Sequence, residues 1–147
     1  MKLLVDADAC PRPVKEIVFR AARRKEISTT LVANQSLRVP RSPYINTLIV
    51  PGGFNEADDK IVTLAKTGDV VVTADIPLAG RVIEQGAVAL TPRGKLYTAE
   101  NIGEALSMRN VMDELRSSGM ETGGPSAFSS KDREHFANRL DQLLNAL

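Results

Sequence analysis

Residues Val70–Asp75 read VVVTAD. VVVTA (Val70 to Ala74) is a nearly uniform apolar run with no polar alternation and no side to turn to water, so it reads as a strand buried on both faces, as in a parallel sheet covered by helices. Working outward, the segment from about Glu56 to Lys66 carries Ala57, Ile61, Leu64 and Ala65 at helical core spacing and ends before Gly68. On the other side IPLAGRVIEQG predicts a helix with Pro77 in its first turn and Gly86 past its end. AVAL (Ala87 to Leu90) predicts another strand, and TPRG a turn after it.

The pattern extends to both ends. LLV (Leu3 to Val5) is a short strand, and from Pro11 a helix places Val14, Ile17, Val18, Ala21 and Ala22 on one face. TTLVA (Thr29 to Ala33) and TLIV (Thr47 to Val50) are strands separated by the loop NQSLRVPRSPYIN. Thr98 is expected to cap a helix bearing Ile102, Ala105, Leu106, Met112 and Leu115, with Arg109 in phase with that stripe and requiring a partner. SSGMETGGPSAF reads as a linker, its TGGP (Thr122 to Pro125) as a turn, and a last helix after Ser129 or Ser130 carries Phe136, Leu140, Leu143, Leu144 and Leu147. Alternating strands and helices predict an α/β fold, a three-layer sandwich with a mainly parallel central sheet, formed as a single domain over residues 1–147.

Composition narrows the function classes. A net charge of +1 gives no general attraction for polyanions, so a phosphate-bearing partner needs locally placed arginines. One cysteine, Cys10, excludes an internal disulfide, and no apolar run approaches the length of a bilayer span; a cytoplasmic protein without membrane insertion is expected. Cys10 itself reads as a small buried residue.

The acids carry the chemistry. Asp6 and Asp8 follow the first strand and Asp75 follows VVVTA. In a parallel sheet all three emerge at the carboxyl edge, where such folds bind ligands. Asp58 and Asp59 open the helix between them; at about 100° per residue Asp58 falls beside the apolar stripe and Asp59 points away, so Asp58 is the candidate. Each acid alone could be a helix cap. Together the balance changes, because carboxylates about 4 Å apart repel by ~4 kcal/mol at an effective dielectric near 20, while a helix dipole returns only ~0.3 to 1 kcal/mol. Converged acids require shared protons or a divalent cation, and oxygen-only donors select Mg²⁺ or Mn²⁺ over zinc; the one histidine, His135, lies on the last helix. Arg38 and Arg41 in the long loop, and Arg93 after the last predicted strand, are candidates to hold phosphate.

The blocks VDADACP, LVANQSLRVP, PGGFNEADD, VVTADIPLA, TPRGKLYTAENI and TGGP, in this order over nearly the whole chain, closely resemble the uncharacterised bacterial YaiI/YqxD family. That family is in turn similar to PIN-like and NYN nucleases. The resemblance implies a PIN-like fold, Mg²⁺ or Mn²⁺ bound by clustered acids, and cleavage of phosphodiester bonds in nucleic acid, mostly RNA. On this implication Asp6 is the first-strand acid, an acid of the ADD block (Asp58 or Asp59) the second, and Thr73 with Asp75 the Ser/Thr-x-Asp motif, Thr73 being offered to substrate; Asp8 departs from the PIN pattern as an additional acid. Two other readings stand beside it. Asp6-x-Asp8 after the first strand is also the arrangement of haloacid-dehalogenase-type phosphatases, and the same scaffold could serve as a non-catalytic RNA-binding or regulatory module.

Overall fold

A computed structural model describes residues 1–120 and 126–146. The predicted TGGP turn and Leu147 lie outside the described residues.

The sheet follows from apolar runs that bury alternate residues on opposite sides. In β1 (Leu3–Asp6), Leu3 and Val5 enter one core and Leu4 the other; β2 (Thr29–Ala33) divides Leu31 and Ala33 from Val32 in the same way. β3 (Ile45–Ile49) is the edge strand beyond β2. β4 (Val70–Val72) and β5 (Val88–Leu90) continue the sheet on the other side of β1. The order is β3-β2-β1-β4-β5-β6, parallel except for β6 (Leu96–Tyr97), which runs antiparallel to β5. The parallel character expected of VVVTAD is therefore realised, and its strand stops at Val72. β3 begins two residues before the expected Thr47, and β6 was not expected: a two-residue strand carries too little alternation to announce itself.

Helices cover both faces, giving three layers. On one side α1 (Arg12–Lys25) buries Val14, Ile17, Val18, Phe19, Ala21 and Ala22, and α5 (Ser130–Asn145) adds Phe136, Leu140 and Leu144 to the same core. Ser129 starts α5 through a reciprocal capping box with Asp132. On the other side lie α2 (Glu56–Leu64) and α3 (Ile76–Glu84), through Ile61, Leu78, Ala79 and Val82.

The helix expected after Thr98, α4 (Ile102–Ser117), is displaced outward. It buries no residue fully and rests on α3, with Leu106 Cδ1 3.4 Å from where a Cβ would stand on Gly80. Its N-cap is Asn101, whose side chain accepts from the Thr98 N–H at 2.8 Å. Arg109 is consequently exposed, and its partner is Asp113 one turn on at 3.1 Å rather than a buried acid. Among the described residues no helix is long and apolar enough to cross a membrane.

Candidate functional site

Register places the first acid. Val5 of β1 pairs with Val72 of β4, so the next residues, Asp6 and Thr73, come out side by side at the carboxyl edge of the sheet. Thr73 is 2% exposed, and its hydroxyl donates to Asp6 Oδ2 at 2.9 Å while accepting the Asp75 N–H at 3.0 Å. The hydroxyl that sequence reasoning offered to substrate is thus used to orient Asp6 and the turn into α3.

The cap reading separates the acids. Asp75 does cap, its Oδ1 accepting the Leu78 N–H of α3 at 2.9 Å. Asp6 and Asp8 do not: the N-cap of α1 is Pro11, and no side chain caps that helix. Asp8 instead accepts the Asn34 N–H at 2.8 Å, tying the loop after β1 to the loop after β2. In α2 the N-cap is Asn55, in the left-handed conformation and without a capping side chain, so Asp58 stands in the first turn with no capping duty at the cap position. Its neighbour Asp59 pairs with Arg81 at 2.9 Å.

The other three acids act on Asp6. Burial raises the pKa of Asp6 above the usual carboxylate value; the Thr73 hydrogen bond opposes this, and the charges of Asp58, Asp75 and Asp8 add to it. Burial also raises Asp58, reinforced by Asp75 and Asp59 and opposed by Arg81. The side chains are near enough to interact electrostatically, yet among the described residues no three Asp, Glu, His or Cys groups converge as a ready-made metal-binding cluster. This oxygen-only set fits a hydrated hard cation held by one or two carboxylates with its own waters completing the shell, as Mg²⁺ is commonly held. It does not fit a closed cage.

Ion pairing distinguishes these acids from the rest. Of nine aspartates in the chain, Asp59, Asp69, Asp113, Asp132 and Asp141 each pair with an arginine or lysine; Asp6, Asp8, Asp58 and Asp75 form no ion pair among the described residues.

The basic candidates are dispersed. Arg93 pairs with Asp132 at 3.0 Å and hydrogen-bonds Ser126, so it fastens the β5–β6 turn to the start of α5. Arg38 and Arg41 are exposed in the β2–β3 loop. Arg38 lines a cavity of about 470 Å³ with Arg12, Lys15 and Phe19, apart from the acids. Cys10 is buried in the α1 core, and burial lifts its thiol pKa to about 12. His135 is exposed on α5. Sequence reasoning passed over Asp69, which is buried where β4 begins, on the opposite edge of the sheet. It accepts the Lys2 and Lys66 N–H groups at 3.0 and 2.9 Å and pairs with the Lys2 ammonium. Only its place before a strand, rather than after one, separates it from the candidates.

Comparison with known proteins gives a consistent family and no activity. The profile described as uncharacterised BCR, YaiI/YqxD family, matches residues 4–146. A UPF0178 protein of Maridesulfovibrio salexigens is 56% identical over 98% of this chain and 95% of its own. UPF0178 proteins of Syntrophotalea carbinolica and Dechloromonas aromatica are 58% and 60% identical, each over 98% of this chain and 97% and 96% of their own.

Proposed function

We propose, from the premise that this chain belongs to the YaiI/YqxD family of uncharacterised proteins, that its acidic carboxyl edge binds Mg²⁺ or Mn²⁺ and hydrolyses phosphodiester bonds in nucleic acid, with RNA as substrate. The observation that carries this reading is the selective absence of ion pairs among the described residues. Five aspartates have cationic partners, while the four brought to the carboxyl edge have none among the described residues. A bound divalent cation supplies charge neutralisation at the phosphate and lowers the pKa of a bound water.

The chain's own groups do the rest. Thr73 fixes the Asp6 carboxylate through one oxygen, and Asp75 is fixed by its cap to α3, so both present set orientations. One or two of Asp6, Asp58 and Asp75 hold the ion directly, and the remainder act through its waters. Asp8, anchored to the Asn34 N–H, is a further ligand or the acceptor of the attacking water's proton. Arg38 and Arg41 steady flanking phosphates from the β2–β3 loop. The test is cleavage of RNA and DNA with and without Mn²⁺, by the native chain and by Asp6→Asn. Cleavage lost in both comparisons is expected, and activity indifferent to both would discard the mechanism.

A non-catalytic RNA-binding module on the same scaffold is favoured by one observation, the lack of a three-group metal cluster among the described residues. Calorimetric titration separates the two: no Mn²⁺ binding with RNA still retained is the outcome expected of the module. The phosphatase alternative gains no such support, because the charged groups acting on Asp6 are all acids and include no lysine.

A further inference from the structure

A cavity of about 470 Å³ is lined by chain neighbours of the acids, though by none of the acids themselves: Ala9 follows Asp8, and Ala74 stands between Thr73 and Asp75. Two of the chain's six aromatic residues, Tyr97 and Phe128, line it. Each is half-buried and rooted in a different layer, Tyr97 against the α2–α3 core and Phe128 against the α1–α5 core. Packing therefore holds both rings while the cavity opens between the layers. Pro11 adds a further apolar wall. At its margin Lys95 is exposed and makes no ion pair among the described residues, whereas Arg93 beside it is neutralised by Asp132.

Fixed aromatic surfaces, a volume in the range of small-ligand sites and a single uncompensated cation match a planar heterocycle carrying phosphate. We propose that this cavity is a nucleobase subsite: it stacks the base of a nucleotide whose phosphate lies toward Lys95 and the acids. The proposal rests on the phosphodiesterase reading for its link to the acids, and it names which part of the substrate is gripped. A base can enter only when it is free of a duplex stack, so the nucleotide comes from a single strand or from a free mononucleotide.

The experiment uses the full chain in Mg²⁺ with two probes: single-stranded oligoribonucleotides bearing 2-aminopurine at one position each, and free 2-aminopurine riboside monophosphate. Stacking is read as fluorescence quenching. Phe128→Ser removes one platform; Ala9→Leu fills the cavity from an exposed turn position and leaves the core untouched, so a folding failure of the first variant does not spare the proposal. Quenching at one position of the oligonucleotide is expected, with affinity about tenfold weaker in either variant. An abasic residue at that position should weaken the native chain equally and the variants no further. Quenching by the mononucleotide alone, in a protein that does not cleave RNA, supports the subsite and overturns the nuclease reading. Mn²⁺-dependent cleavage with affinity untouched by Ala9→Leu and by the abasic residue overturns the subsite and leaves the nuclease reading standing. Binding of neither probe overturns the subsite, and the cavity would then suit an apolar side chain of a protein partner.

Discussion

Replacing Thr73 by valine keeps the shape of a side chain that is 2% exposed and removes the hydroxyl that donates to Asp6 Oδ2 at 2.9 Å and accepts the Asp75 N–H at 3.0 Å. A hydrogen bond to a charged acceptor contributes about 1.5 to 3 kcal/mol and a neutral one about 1 kcal/mol, while the methyl that replaces the hydroxyl returns at most ~0.8 kcal/mol of apolar burial. A loss of about 2 to 3 kcal/mol at neutral pH follows from these contributions. The loss should itself depend on pH. Asp6 has a folded-state pKa above its ordinary value of 3.8, so its proton favours the folded chain at acid pH, and that contribution disappears as pH rises through the folded value. The Thr73 hydrogen bond restrains this shift. Without it the folded pKa climbs further, so the deficit of Thr73→Val against the native chain is largest near pH 7 and shrinks as pH falls toward 4. Urea denaturation of both proteins at a series of pH values measures it, with Thr73→Ser as the variant that keeps the hydroxyl and recovers most of the loss. A valine variant within 0.5 kcal/mol of native at pH 7, or a deficit that grows on acidification, would refute the hydroxyl's role in holding Asp6; about 0.5 kcal/mol is the scatter of substitutions that touch nothing.

Other parts of the molecule give independent expectations. Asp69→Ala strands the Lys2 and Lys66 N–H groups and leaves the Lys2 ammonium unpaired, and should cost about 3 kcal/mol or more in the same denaturation assay, without touching metal affinity measured by calorimetry. Cys10, with its thiol pKa at about 12 against an ordinary 9.0, holds about a thousandfold less thiolate at pH 8 than a free cysteine, so a disulfide reagent should label the native chain far more slowly than the urea-unfolded one. Gly94→Ala sets a side chain at φ +89, with its Cβ 2.6 Å from the carbonyl carbon of His135. The melting temperature should fall by the equivalent of at least ~2 kcal/mol, since backbone strain alone costs about 1 to 2 and the α5 backbone cannot yield as a side chain would.

What the sequence made legible divides along physical lines. Apolar runs without alternation identified strands buried on both faces, and helical spacing identified the α1 stripe, because each is a local consequence of where water is excluded. The α4 stripe misled for the same reason. Its apolar positions are helically spaced, but among the described residues α3 is the main element beneath them, and no local pattern tells how much of a face will be covered. Helical geometry separated Asp58 from Asp59, and the structure gives Asp59 to Arg81. Contacts set by register or by layer were out of reach. The Thr73–Asp6 bond exists because Val5 pairs with Val72, and the approach of Tyr97 and Phe128 depends on where α5 crosses the β5–β6 turn.

The cost of the acidic edge also explains its construction. Each of three carboxylates is held by one hydrogen bond from a different part of the chain: Thr73 for Asp6, the Asn34 N–H for Asp8 and the Leu78 N–H for Asp75. These bonds orient charges without neutralising them, so the burial that raises Asp6, and the repulsion that adds to it, remain in the folded state. A chain able to pair Asp69 with Lys2, Asp132 with Arg93 and Asp59 with Arg81 has the means to relieve such repulsion. At this edge it instead locks the acids in place, and locked, unneutralised acids carry an energetic penalty that a ligand of opposite charge removes on binding. Stability given up at one place on an otherwise well-paired surface is the expected signature of a site kept for function rather than for folding.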